Sequence, residues 1–324
     1  MIRTPPPPAL PAVLMLALSA AAASGQKRWE AMDYGPFLSH SVTLPVPKGV
    51  KPDAWAADPR NVVGKGVVVR VGGRDDPAAV LFDTATCSMR AGWTGGRLGL
   101  HGTPFDGTHR PPERSRPVVQ GDVVFQNDPG PTWSVGAAAD FTDPRKDPYS
   151  NLPVEQVRYH GLYVHGDQVV FRYRVGDAEV LETPGVHTRN GLTAITRTLR
   201  IGASAEPLSL LVARHPHESK FPPTGATMNP GDPCVSGEGV AGRPDDAVFV
   251  GARFPAGGRV EFRGDPKAGS GDILLRLPAL TQPAVVRLWI LRGKVRSAEA
   301  MSAPEGFVWM WGRPTEPADL TALT

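Results

Sequence analysis

The sequence predicts a mainly β protein, an antiparallel β-sandwich with long Pro/Gly-rich loops, built as one sandwich or as two packed β subdomains. Three observations carry this expectation. Apolar runs of strand length recur at close spacing through most of the 324 residues. The 36 glycines and 35 prolines exceed average usage and favour short strands joined by long loops. Helical periodicity is scarce, with only Lys294 to Ala303 reading as a short helix.

Residues 1–25 read as a secretory signal peptide: Arg3, an apolar run from Ala9 to Ala23, and Ala21-Ala22-Ala23 as a cleavage site. The run is shorter than the roughly 20 residues that span a bilayer, so no membrane span is expected in the mature chain. Export to the periplasm, the cell surface or the extracellular space follows. Removing Arg3 lowers the formal charge from +3 by one to +2, too small for a nucleic-acid footprint. Residues 26–63 form an extended N-terminal arm without sustained periodicity.

The main sandwich is expected over 64–214. GKGVVVRV, AAVLFD, RLGLH and DVVFQ are its first strands, separated by turn-rich segments such as FDGTHRPPERSRP and NDPGP. YHGLYVHGDQVVFRYRVGDAEVLE, 159–182, reads as a three-stranded meander turning at Gly166-Asp167 and Gly176-Asp177. Alternation then puts Leu162, Val164, Val169, Phe171, Tyr173, Val175, Ala178 and Val180 on a core face. Tyr163, His165, Gln168, Val170, Arg172, Arg174, Glu179 and Leu181 make a wet face, with Arg174 opposite Glu179. LTAITRTLRI and PLSLLVAR follow. Residues 215–246 are expected as a Pro/Gly-rich loop or junction, 247–313 as a second β segment completing or packing on the sandwich, and 314–324 as a tail.

Several residues have chemistry that a site could use. Trp93, set among Gly92, Gly95 and Gly96, could cover a bend or stack on a sugar ring. Asp33, Asp83 and Asp106, with His101 or His109, could supply acid and base groups for sugar chemistry. Cys87 could be a nucleophile beside His101 or His109, or could pair with Cys234, since export permits a disulfide. His215 and His217 are a weak metal fragment, two imidazoles without a third ligand, so no metal is expected. Tyr163, His165, Arg172 and Arg174 could contact a ligand from the wet face.

The segments WEAMDYGPFLSHSV, GVVVRVG, VLFDT with AGWTGG, FDGTH, DPR, RYHGLYVHGDQVVFRYRVGDAEVLE and TRTLRI occur in this order. Together they resemble an uncharacterised N-terminal domain, domain of unknown function 6797, of exported planctomycete-type bacterial proteins. In that family the domain often precedes a propeller-like region similar to sugar dehydrogenases and a c-type haem domain. The resemblance implies C-terminal partner domains, but the sequence holds no C-x-x-C-H, so no cofactor is expected for this chain. The expected function is non-catalytic recognition of a glycan, or scaffolding of partner domains in an exported assembly. The alternatives are a carbohydrate-active enzyme using the Asp/His groups and a truncated part of a haem-containing oxidoreductase.

Overall fold

The computed structural model describes residues 32–46, 51–58, 61–102, 107, 109, 116–189, 191–215, 226–228, 234–243, 246–265, 270–293, 320 and 322. The expected signal peptide, the expected helix at 294–303, Asp106 and His217 lie outside them. Strands dominate, and α1 (Pro52–Ala57) is a single short helix turn.

The chain begins with β1 (Phe37–Thr43), β2 (Val62–Arg70), β3 (Ala78–Asp83), β4 (Ser88–Thr94), β5 (Leu98–Gly99), β6 (Val118–Val119) and β7 (Asp122–Gln126). These form one sheet in the order β5-β6-β1-β2-β3-β4-β7. Next come β8 (Trp133–Val135), β9 (Val157–His165), β10 (Gln168–Val175), β11 (Ala178–Arg189), β12 (Leu192–Ile201) and β13 (Leu208–His215). Then follow β14 (Ala226–Met228), β15 (Cys234–Arg243), β16 (Asp246–Pro255), β17 (Arg259–Asp265), β18 (Ser270–Leu277) and β19 (Ala284–Gly293). An eight-stranded sheet runs β14-β15-β16-β19-β12-β11-β10-β9, and a four-stranded sheet runs β17-β18-β13-β8.

β18 pairs with β13 in the four-stranded sheet, while β16 and β19 join the eight-stranded sheet beside β12. The expected junction at 215–246 in fact holds β14 and β15, which extend that sheet. Glycine-rich β15 carries a weak alternation signal, and strand pairing rather than propensity decides its conformation. The arm likewise contains β1, paired with β2.

One apolar core unites the three sheets, drawing Val80 and Phe82 from the first, Phe171, Ile195 and Leu199 from the second, and Leu210, Ile273 and Leu275 from the third. The Phe82 ring stacks on Phe171 with centroids 4.1 Å apart. The first sheet is buried on both faces. Val80 and Phe82 enter the common core, while Ala79 and Leu81 enter a second one with Val42, Val63, Val68 and Trp93. A strand covered on both sides reads as the continuous apolar run AAVLFD.

The meander has the expected register: Gln168 faces His165, and Val175 faces Ala178. Its core face is buried from Val169 to Val180, though Val164 at the hairpin tip is exposed. The opposite face is drier than expected. Val170 and Leu181 are buried there, packed with Leu320 and Tyr163. Arg174 lies opposite Glu179, yet Glu179 takes its ion pair from the diagonal neighbour Arg172.

The core contains a fully buried charged network. Glu182 accepts the Tyr173 hydroxyl at 2.6 Å on one oxygen and the Arg197 Nε–H at 2.6 Å on the other. Burial disfavours the Arg197 cation, but the Glu182 carboxylate outweighs it and raises the guanidinium pKa. Replacing Glu182 by Leu strands Arg197, so urea unfolding of Glu182→Leu should show a loss of about 3–5 kcal/mol. The double variant Glu182→Leu/Arg197→Met should recover most of that loss. Additive losses in the double variant would show that the pair is not the coupled unit.

Candidate functional site

A cleft with a volume of about 100 Å³ lies on the outer face of the first sheet, where cover from the N-terminal arm meets cover from β5. Leu38, Val68, Ala79 and Leu98 supply apolar lining; Met32 and Tyr34 supply the arm's wall; Arg70 and Arg97 supply charge. Tyr34 is 37% exposed and Met32 58%. A partly exposed aromatic ring, its hydroxyl donating to the Met32 thioether at 3.9 Å, therefore stands above an apolar surface beside guanidinium groups.

Local structure fixes each of these side chains. Asp33 accepts the Gly35 N–H at 2.9 Å, closing a turn in which Gly35 has φ of +80° and the chain needs glycine. That turn orients Tyr34. The Pro36 carbonyl then accepts the Arg70 N–H at 2.9 Å, tying the turn to the end of β2. The Gly35 N–H, followed by Arg70, holds the Asp33 carboxyl below the usual carboxylate range.

Arg70 is a clamp. One terminal nitrogen reaches Asp33 at 3.3 Å, and the other reaches Asp167, in the β9–β10 turn, at 3.3 Å. The hairpin turn of GLYVHGD thus meets the arm across Arg70 at the cleft rim. Arg97 differs. Its backbone carbonyl accepts both the Trp93 indole N–H at 2.9 Å and the Gln120 N–H at 3.1 Å, so its position is set twice. Its side chain makes one hydrogen bond, to the Gly73 carbonyl at 3.3 Å, and no ion pair among the described residues. Partial burial lowers its pKa, the neighbouring Arg70 and Arg74 add to this, and Asp33 opposes it.

Most of the residues the sequence singled out lie elsewhere. Trp93 is 0% exposed, with its ring in the outer core and its N–H spent on Arg97, so no face remains for a sugar. The surrounding glycines serve packing. A Cβ at Gly92 would meet Phe125 at 2.6 Å, and one at Gly121 would meet the Thr94 carbonyl at 2.4 Å. Asp83 is buried and occupied in a turn, accepting Ala85 N–H and Thr86 Oγ1–H, which removes it as an acid/base group. His109 is exposed, and half-buried His101 follows the cleft residue Leu100. On the meander, Arg172 is engaged by Glu179 and by the Tyr163 hydroxyl, while Arg174 donates to the Val154 carbonyl and His165 is exposed.

The metal and thiol candidates resolve similarly. His215 is fully buried at the end of β13, 4.0 Å from the Asp246 carboxylate, and is no exposed loop ligand. No group of three or more His, Cys, Asp or Glu side chains among the described residues could hold a metal ion. Cys87 is a free buried thiol in the β3–β4 turn, and the side chain of Cys234 lies outside the described residues. Burial, then the nearby Asp83 and Glu182 charges, pushes the Cys87 thiol well up, so it has no nucleophilic thiolate near neutral pH.

DPR, 143–145, proves to be a loop lock. Buried Arg145 grips Asp143 through two nitrogens and donates to the Pro148 and Ser150 carbonyls. The cleft residues Tyr34, Arg70 and Arg97 carry no chemical motif. Their one local signal is the Asp-x-Gly turn before β1, and the cleft itself depends on three distant segments meeting.

Two outcomes follow. Trp93→Ala should cost about 3–5 kcal/mol in chemical denaturation, as expected for a large core ring; an unchanged midpoint would place the ring outside the core. Peptide mapping after alkylation in non-reducing denaturant should find Cys87 alkylated, whereas the native protein leaves it unmodified. A Cys87–Cys234 cross-linked peptide would contradict the free thiol.

No curated protein matches the chain. Among solved structures it is similar to a heparinase III, with 8% identity and a TM-score of 0.31 over 71% of this chain and 35% of the other. It is also similar to a protein described as a kojibiose phosphorylase from the human microbiome, with 7% identity and a TM-score of 0.27 over 79% of this chain and 36% of the other. The chain thus spans about a third of the length of these structures. Residues 80–182, which include Arg97 and the whole meander, match the family described as Domain of unknown function (DUF6797).

Proposed function

We propose that this chain is an exported, non-catalytic recognition module that holds one unit of a glycan in the cleft between the N-terminal arm and the first sheet. One observation carries the reading: the Arg97 guanidinium, with a single hydrogen bond among the described residues, lines the same cleft as the partly exposed Tyr34 ring. Sugar rings present an apolar face and a polar rim. An aromatic wall with oriented donors complements both, and a few placed polar groups in an apolar concavity are the usual form of such sites. The clamp of Arg70 by Asp33 and Asp167 prepares the rim before a ligand arrives, which limits the ordering cost of binding.

The non-catalytic part of the reading is supported by Asp83, whose two carboxylate oxygens are both taken by its own turn. Binding with partner domains of a longer relative fits the same role, since a recognition module delivers its neighbours to a polymer.

A glycan array probed with the purified protein, followed by calorimetry on the retained sugars, tests this. Tyr34→Ala and Arg97→Leu should each weaken binding about tenfold or more, equivalent to about 1.4 kcal/mol. Both should leave the thermal midpoint near that of the wild type, because neither side chain belongs to a core. Retention of no glycan, or equal binding by both variants, would overturn the proposal.

A further inference from the structure

We infer that the sugar unit held in the cleft is acidic, with its carboxylate on the Arg97 guanidinium and its ring against Tyr34. This rests on the glycan reading above and narrows it to uronic-acid-containing polysaccharides.

The charges around the cleft make the case. Arg70, Arg74 and Arg97 lie within electrostatic reach of one another and of Asp33. Arg70 spends its two terminal nitrogens on Asp33 and Asp167. Arg97 lines the cleft with no ion pair among the described residues, and Asp33, though within electrostatic reach, spends its carboxylate on Arg70 and the Gly35 N–H. A guanidinium has five N–H donors in a planar fork, and Arg97 uses one, on a neutral carbonyl.

A neutral hydroxyl could accept from that fork, but the guanidinium would stay without an ion-pair partner beside Arg70 and Arg74. A carboxylate matches the fork with two parallel hydrogen bonds and supplies that partner. The lowered pKa of Arg97 agrees, since it reports a cation held where burial and like charges disfavour it. The apolar lining from Leu38, Val68 and Leu98 lowers the local dielectric and strengthens the same contact.

Calorimetry should compare oligogalacturonate and oligoglucuronate with their neutral homologues, a sulfated oligosaccharide and an acidic peptide, at about 50 mM and about 500 mM salt. Uronate oligomers should bind about tenfold or more tightly than neutral ones at the lower salt, with the gap shrinking at the higher. Arg97→Leu should abolish the gap, Arg97→Lys should restore only part of it, and Tyr34→Ala should weaken acidic and neutral sugars together.

Equal affinity for acidic and neutral sugars would overturn this inference and leave the glycan reading standing. Preference for the sulfated sugar over uronates would overturn the carboxylate assignment. An acidic peptide binding as well as uronates, without dependence on Tyr34, would replace the sugar with a protein partner. Absence of binding by every saccharide would remove both readings.

Discussion

The stacking of Phe82 on Phe171 sets the rest of the molecule in order. It places one face of the first sheet against the eight-stranded sheet, so Val80 and Phe82 point into the common core. Because strand side chains alternate, Ala79, Leu81, Val68 and Trp93 must then point the other way, and they are too apolar to face water. The chain covers them with β5, β6 and the N-terminal arm. The cleft is where those covers meet, so the candidate site is a product of the second core and of the arm that closes it.

Arginines mark the difference between architecture and function here. Arg197 holds Glu182 inside the core, and Arg145 locks its own loop. Arg214 joins Asp272 and Asp128 across the end of the third sheet, and Arg292 grips Asp246 through two nitrogens. In each the charge is answered within the fold, as buried or half-buried cations require. Arg97 combines partial burial, a fixed backbone and a guanidinium whose hydrogen bond among the described residues goes to a carbonyl. Unlike those four, Arg97 lines a cleft, and that position makes it the place among these arginines for a ligand.

Much of the fold was legible in the sequence. Gly166-Asp167 and Gly176-Asp177 set the meander register through two-residue turns, and alternation assigned its core face from Val169 to Val180. What stayed hidden depended on distant chain segments. Glycine-rich β15 is a strand because β16 pairs with it, and Val170 and Leu181 are dry because Leu320 lies on them. The candidate residues failed for a related reason: Trp93, Asp83 and Cys87 attract attention as chemistry, yet local geometry uses each one for packing or for a turn. Tyr34 and Arg97, 63 positions apart, give no pattern in one dimension, and only the folded arm brings them to one cleft.

A crystal structure of the protein soaked with a galacturonate disaccharide tests the account most directly. Sugar density is expected in the cleft, the ring lying along Tyr34 and the carboxylate within hydrogen-bond distance of the Arg97 guanidinium. Sugar bound only on the meander face around Tyr163 and Arg172, or a cleft filled by another part of the chain, would contradict it.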